Sequence, residues 1–252
     1  MTKTSCLVLS AFTALFAMPH PTAAQTPQPA PWMQVTIVHV EPAMVDEYIG
    51  VQKDFAAKAK KGPTTGRTVS RVEVGDSYQF IITSPVQNLA SFDAAARNVD
   101  AELSALNAKM LKYVTSQQTY IIRAIPELDN PLPANQSPGL MIFNVARVFP
   151  GREQDYLTVM KTDFLPHFNK ANFYHVNGNI TFGGSSGFIH LFYVNNFAAL
   201  DAGSPVVKAL GPAGAQAVTA KLSGIVSSSE LWIARVNPEL SYGPVARPAT
   251  NP

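Results

Sequence analysis

Histidine is the side chain most able to do chemistry near neutral pH, because its imidazole exchanges a proton there and offers a lone pair to metals. Three of the five histidines, His167, His175 and His190, lie within 24 residues of one another. His190 shares the period-two face of a strand pattern with Phe188, Phe192 and Val194. In that company it is either a hydrogen-bonded core residue or a group facing a cavity, where it would act as a general base. With the turn centred near Ser185, it is expected to oppose Ile180. His167 follows Asp163 by four positions, which puts both on one helix face. Two ligands fall short of a metal site, and Pro166 disturbs the turn between them, so no metal is expected. His175 opens a strand and is expected to be solvated, and His39 stands at a strand end near the rim.

Other candidates come from comparing the chain with itself. Val40-Glu41-Pro42, Glu47-Tyr48 and Lys53 recur as Val148-Phe149-Pro150, Asp155-Tyr156 and Lys161, at a constant offset of 108 residues. After a slip of four, Tyr120-Ile121-Ile122-Arg123 aligns with Trp232-Ile233-Ala234-Arg235. In this alignment Asn144 matches Thr36 in the middle of the first strands, where a buried polar side chain needs a partner. Trp232 matches Tyr120 on the last strands, giving aromatic surface for a planar ligand or for the core. These four are the candidate ligand-binding residues; period two alone does not say which strand face lines a cavity. The shared pairs Tyr48/Tyr156, Asp93/Asp201 and Arg123/Arg235 read as structural, as helix packing, helix N-termini and ion pairs to Glu127 or Glu239.

The elements that must carry these residues read twice as strand, helix, strand, strand, helix, strand. Residues 33–40 and 140–148 are rich in β-branched side chains and are followed by Pro42 and Pro150, at the first turn of a helix. The first helix has apolar residues at helical spacing through Val45, Tyr48, Ile49, Phe55 and Ala59, and in the second copy through Tyr156, Met160, Phe164 and Phe168. Pro166 is expected to kink or end that second copy. Hairpins follow, 67–74 with 78–83 and 174–182 with 188–194, then helical regions 89–115 and 197–225, and closing strands 118–124 and 230–236. The glycine-rich run 183–187 lies between strands and opens no helix, so it is a turn rather than a phosphate loop. Nucleophile-elbow, phosphate-loop and zinc-protease motifs are absent from the sequence.

The chain is expected to divide into a signal peptide over 1–24, an extended lead-in over 25–31, repeats over 32–128 and 139–240, a proline-rich linker over 129–138 and a tail over 241–252. Lys3, the apolar run 7–18 and the small residues Thr22-Ala23-Ala24 carry the export expectation, periplasmic or secreted. Cleavage there removes Cys6, the single cysteine, and with it all thiol and disulfide chemistry. The run is too short for a lasting membrane anchor, which needs about 20 residues. Charged residues make up 14% of the chain against 46% hydrophobic, and no basic cluster with interleaved aromatics speaks for nucleic acid.

The βαββαβ order is the ferredoxin-like plan, so the fold class is α+β. The duplicated chain resembles the dimeric α+β barrel superfamily, in particular its NIPSNAP-like and antibiotic-biosynthesis-monooxygenase-like members. The resemblance implies two tandem ferredoxin-like units packed sheet to sheet within one chain. It also implies an apolar ligand, an oxidisable substrate or haem held between them, with His190 as haem ligand or base. Chlorite dismutases share the plan, with haem in the second half. Two other readings stand beside this one: an envelope protein that binds an apolar molecule without catalysis, and an oligomerising structural protein whose inter-sheet core is solid.

Overall fold

The computed structural model describes residues 32–62, 66–97, 100–133, 136, 138–201 and 203–243. The expected signal peptide, the lead-in and nearly all of the tail lie outside the described residues. The first half runs β1 (Trp32–Val40), α1 (Val45–Ala59), β2 (Thr68–Val74), β3 (Gln79–Val86), α2 (Ala90–Arg97), α3 (Ala101–Met110) and β4 (Val114–Ala124). The second runs β5 (Leu140–Val148), α4 (Glu153–Val159), a π-helical turn Met160–Phe164, α5 (Leu165–Lys170), β6 (His175–Phe182), β7 (Gly187–Val194), α6 (Pro205–Lys221) and β8 (Val226–Val236). Both closing strands begin four residues earlier than the periodicity suggests.

Within each half the strands pair antiparallel in the ferredoxin-like order, β2-β3-β1-β4 and β6-β7-β5-β8. Each half alone would leave two unpaired edges, which attract wrong partners. Here the edge β2 pairs with β8 and the edge β4 with β6, so the eight strands close into one barrel. The strand alternation then divides the side chains into an inside and an outside set. Val35, Ile37, Ile81, Ile122, Phe143, Val145, Ile189 and Leu191 fill the barrel, whereas Phe80, Ile82, Phe188 and Phe192 point out against the helices.

Pro166 does not end the helix, which continues through Lys170. Without an N–H it cannot donate to a carbonyl one turn back, and the helix widens into the π turn Met160–Phe164 just before it. The broken helical region of the second half resolves into a short 3-10 segment, Phe197–Leu200, and then α6, whose axis kinks at Gly211 (φ 69°) ahead of Pro212. Among the described residues no helix is long and apolar enough to cross a membrane.

Because the inside set comes from both halves, it holds the barrel together. Phe143 is 1% exposed in that cluster. Phe143→Ala is expected to cost about 3–5 kcal/mol in denaturant unfolding. A loss below about 1 kcal/mol would show that the interior relaxes around the gap and is not close-packed.

Candidate functional site

The helix-covered face of the second half carries a cavity of about 400 Å³, lined by Met160, Phe164, Phe168, Phe192, Val206 and Leu222, with Tyr156, His190, Asn144 and Ser229 among the polar groups. The π turn supplies Met160 and Phe164 to this wall. Such turns inside helices frequently occur at functional sites.

His190 is 2% exposed at the cavity floor. Its Nε2 lies 2.7 Å from the Tyr156 hydroxyl and its Nδ1 lies 2.6 Å from Asn177 Oδ1. The proton positions follow from one fixed acceptor. Asn177 Nδ2 donates to the Leu128 carbonyl, which can only accept, and to Asp129 Oδ1 at 2.9 Å. Asn177 Oδ1 therefore faces His190 as an acceptor, Nδ1 carries the ring proton, and Nε2 accepts from the Tyr156 O–H. Asp129 Oδ1 also takes the Asn177 backbone N–H at 2.6 Å, while its Oδ2 is buried without a partner among the described residues. The result is a continuous chain, Tyr156–His190–Asn177–Asp129, running from the cavity into the protein.

Burial keeps this chain uncharged at its cavity end. It pushes His190 down to about 3, with His175 nearby adding to the effect, and it raises the Tyr156 phenol above its ordinary value. It also raises Asp129 to about 7, against the lowering effect of the Asn177 hydrogen bonds. The dyad at the cavity thus offers a neutral phenol whose oxygen lone pairs remain open to a ligand.

The sequence candidates separate onto two faces. His190 opposes Asn177 on β6 and Asn144 on β5, not Ile180, and it faces the helices rather than the space between the two sheets. The reason is alternation: Ile189 and Leu191 take the barrel interior, so His190 must point outward. Asn144 lines the same cavity and accepts from Ser229 Oγ at 3.2 Å. Thr36 holds the equivalent outward place in the first half. Tyr120 and Trp232 turn instead into the barrel core, where the Tyr120 hydroxyl accepts from Arg147 Nη2 at 2.9 Å.

His175 is buried, 1% exposed, and not solvated: its Nδ1 meets the Phe173 carbonyl and its ring packs edge-on to Phe168. Asp163 pairs with Lys221 rather than with His167, and among the described residues no three potential metal ligands cluster. Arg235 pairs with Glu73 and Arg123 lies over the Trp32 ring, so neither uses the expected Glu127 or Glu239. Sequence reasoning missed Tyr156, Asn177 and Asp129 as working groups. The signal was present at the offset of 108, where Val69 becomes Asn177 and Ile82 becomes His190.

Against known proteins, no family model matches the chain, and no curated protein matches it in sequence. Solved structures do match. A candidate monooxygenase from Fusobacterium nucleatum superposes with a TM-score of 0.62 at 12% identity, over 87% of this chain and 98% of that one. An anthrone oxidase-like protein gives 0.58 at 12% identity, over 82% and 91%. A mutant chlorite dismutase from Candidatus Nitrospira defluvii gives 0.54 at 7% identity, over 84% and 92%. The fold is the tandem dimeric α+β barrel.

A buried carboxyl raised to about 7 favours the protonated form in the folded state. Its contribution to stability is full below its unfolded value, about 4, and is lost as pH rises through about 7. His190 runs the opposite way, its contribution present above about 6.5 and lost as pH falls toward about 3. Asp129→Asn keeps the His190 effect and removes the other. Its melting temperature relative to the parent should therefore rise between about pH 5 and pH 8. A difference that stays constant over that range would contradict the raised carboxyl.

Proposed function

We propose that the second-half cavity binds a planar, largely apolar molecule bearing an ionisable hydroxyl, and that Tyr156 with His190 takes its proton during an oxidation by dioxygen. One observation carries this reading: the buried chain that joins this apolar cavity to a carboxyl group begins at a phenol–imidazole pair. The cavity volume falls among small-molecule sites, about 300–1,000 Å³. The fold shared with the anthrone oxidase-like and candidate monooxygenase structures supports the oxidation.

The steps follow from the proton positions. A ligand hydroxyl donates to the Tyr156 oxygen while the Tyr156 proton passes to His190 Nε2, leaving a ligand oxyanion beside an imidazolium. Each charge stabilises the other in surroundings that would reject either alone. For anthrone, whose enol has such a hydroxyl, reaction of the electron-rich anion with dioxygen gives anthraquinone and water. The methylene carbon loses both hydrogens and gains one oxygen atom, and the other oxygen leaves in the water. Phe164, Phe168 and Phe192 supply aromatic faces for the rings and exclude water from the anion.

Haem fits these residues poorly as they stand. Both nitrogens of His190 are engaged, and the cavity lining has no Lys or Arg to pair with propionates. Export remains part of the proposal and rests on Lys3, the apolar run 7–18 and the small residues that follow.

The test is oxygen uptake with anthrone, alongside anthrone binding by fluorescence. Tyr156→Phe and His190→Phe should each lower the enzyme-dependent rate about 10²- to 10⁴-fold, the usual worth of a positioned proton acceptor, with binding changed far less. Unchanged rates in both variants would remove the proton role. Binding without any oxygen uptake by the parent would leave a binding protein and end the enzyme reading.

A further inference from the structure

The first half holds a cavity at the place equivalent to the candidate site, and its chemistry is different. It measures about 230 Å³ and lies under α1 and α3 against the outer face of β1 and β3. Three pairs of positions show the divergence. Gln52 stands where the second half has Met160, Ser84 where it has Phe192, and Arg67 where it has His175. The backbones at the last pair match closely: Arg67 bridges Tyr242 just as His175 bridges Asn130. The substitutions replace apolar or neutral groups by amide, hydroxyl and guanidinium.

Two groups in this cavity lack the partners that burial demands. Gln52 is 1% exposed and its Nε2 donates to the Tyr48 hydroxyl at 2.7 Å, yet its Oε1 has no partner. Since the Tyr48 oxygen is accepting, its own proton finds no acceptor among the described residues. A buried acceptor and a buried donor left open side by side match one hydroxyl group, which both donates and accepts. Arg67 is half-buried with its guanidinium 4.9 Å above the Phe55 ring, and its Nε is buried without a partner. Among the described residues no carboxylate lies within ion-pair distance of it. The guanidinium gives one hydrogen bond to the Tyr242 side chain, and the Phe55 ring steadies the cation without accepting a conventional one, so the remaining donors of the fork are available to a carboxylate.

We infer that this cavity is a second ligand site, for a small organic acid anion that carries a hydroxyl group. Arg67 holds the carboxylate, and Tyr48 with Gln52 reads the hydroxyl. The site is separate from the second-half cavity and does not depend on the function proposed there.

Calorimetric titration of the full chain with 4-hydroxybenzoate, and with its neutral analogue 4-hydroxybenzamide, tests the assignment. The parent should bind the acid about 10- to 100-fold more tightly than the amide, the scale of a charge-assisted hydrogen-bond pair. Arg67→Met should erase that preference, and Arg67→Lys should restore part of it, which separates loss of charge from loss of fold. Gln52→Leu should weaken acid and amide alike. No saturable binding of the acid to the parent would overturn the inference. So would a preference for the acid that survives in a folded Arg67→Met.

Discussion

The candidate site depends on one constraint: an imidazole can be buried in an apolar wall only if both of its nitrogens are satisfied. Here Asn177 and Tyr156 satisfy them, and each is placed by a different layer. Asn177 is set opposite His190 by the β6–β7 register, and its amide is oriented by the Leu128 carbonyl. Tyr156 arrives from α4 and stacks on Phe188 at a centroid distance of 4.6 Å. Shifting β7 by one residue would send His190 into the barrel interior and an isoleucine or leucine into the cavity. The strand register thus sets the geometry of the candidate site.

Barrel closure explains why the candidate site lies outside the interior. With every edge paired between halves, the two concave faces meet and fill with side chains such as Val35, Phe143 and Ile189. What remains free to diverge is the space between sheet and helices, once in each half. The Tyr48/Tyr156 pair is kept at both places with its ring against Phe80 or Phe188. The partner of its hydroxyl has moved, from Gln52 on the helix in one half to His190 on the strand in the other. The two halves carry cavities at equivalent places, and a few differing residues make one polar and the other apolar.

Much of the fold could be read in the residues, because a repeated βαββαβ order with Pro42 and Pro150 after the first strands leaves few arrangements. The site was less legible. Period two puts His190 with Phe188 and Phe192 but does not say whether that face meets helices or the other half. The answer depends on which faces become the barrel interior, a property of eight strands together. Tyr156 looked like helix packing, and it is packed; its second role exists only because His190 comes within 2.7 Å from 34 residues away. Asp129 looked like linker, yet it is tied to Asn177 on β6. The substitutions Val69 to Asn177 and Ile82 to His190 were visible in the alignment of the halves, but their meaning needed the pairing that makes them neighbours.

The account can be tested most directly by nitrogen-15 NMR of the histidine and tryptophan side chains, with and without anthrone. It predicts that His190 is a neutral ring with the proton on Nδ1 across the neutral range, and that adding anthrone shifts its Nε2 signal while Trp232 Nε1 stays unchanged. A His190 ring that titrates near its ordinary value would contradict it, and so would a ligand-induced shift confined to Trp232 Nε1, which would place the ligand inside the barrel.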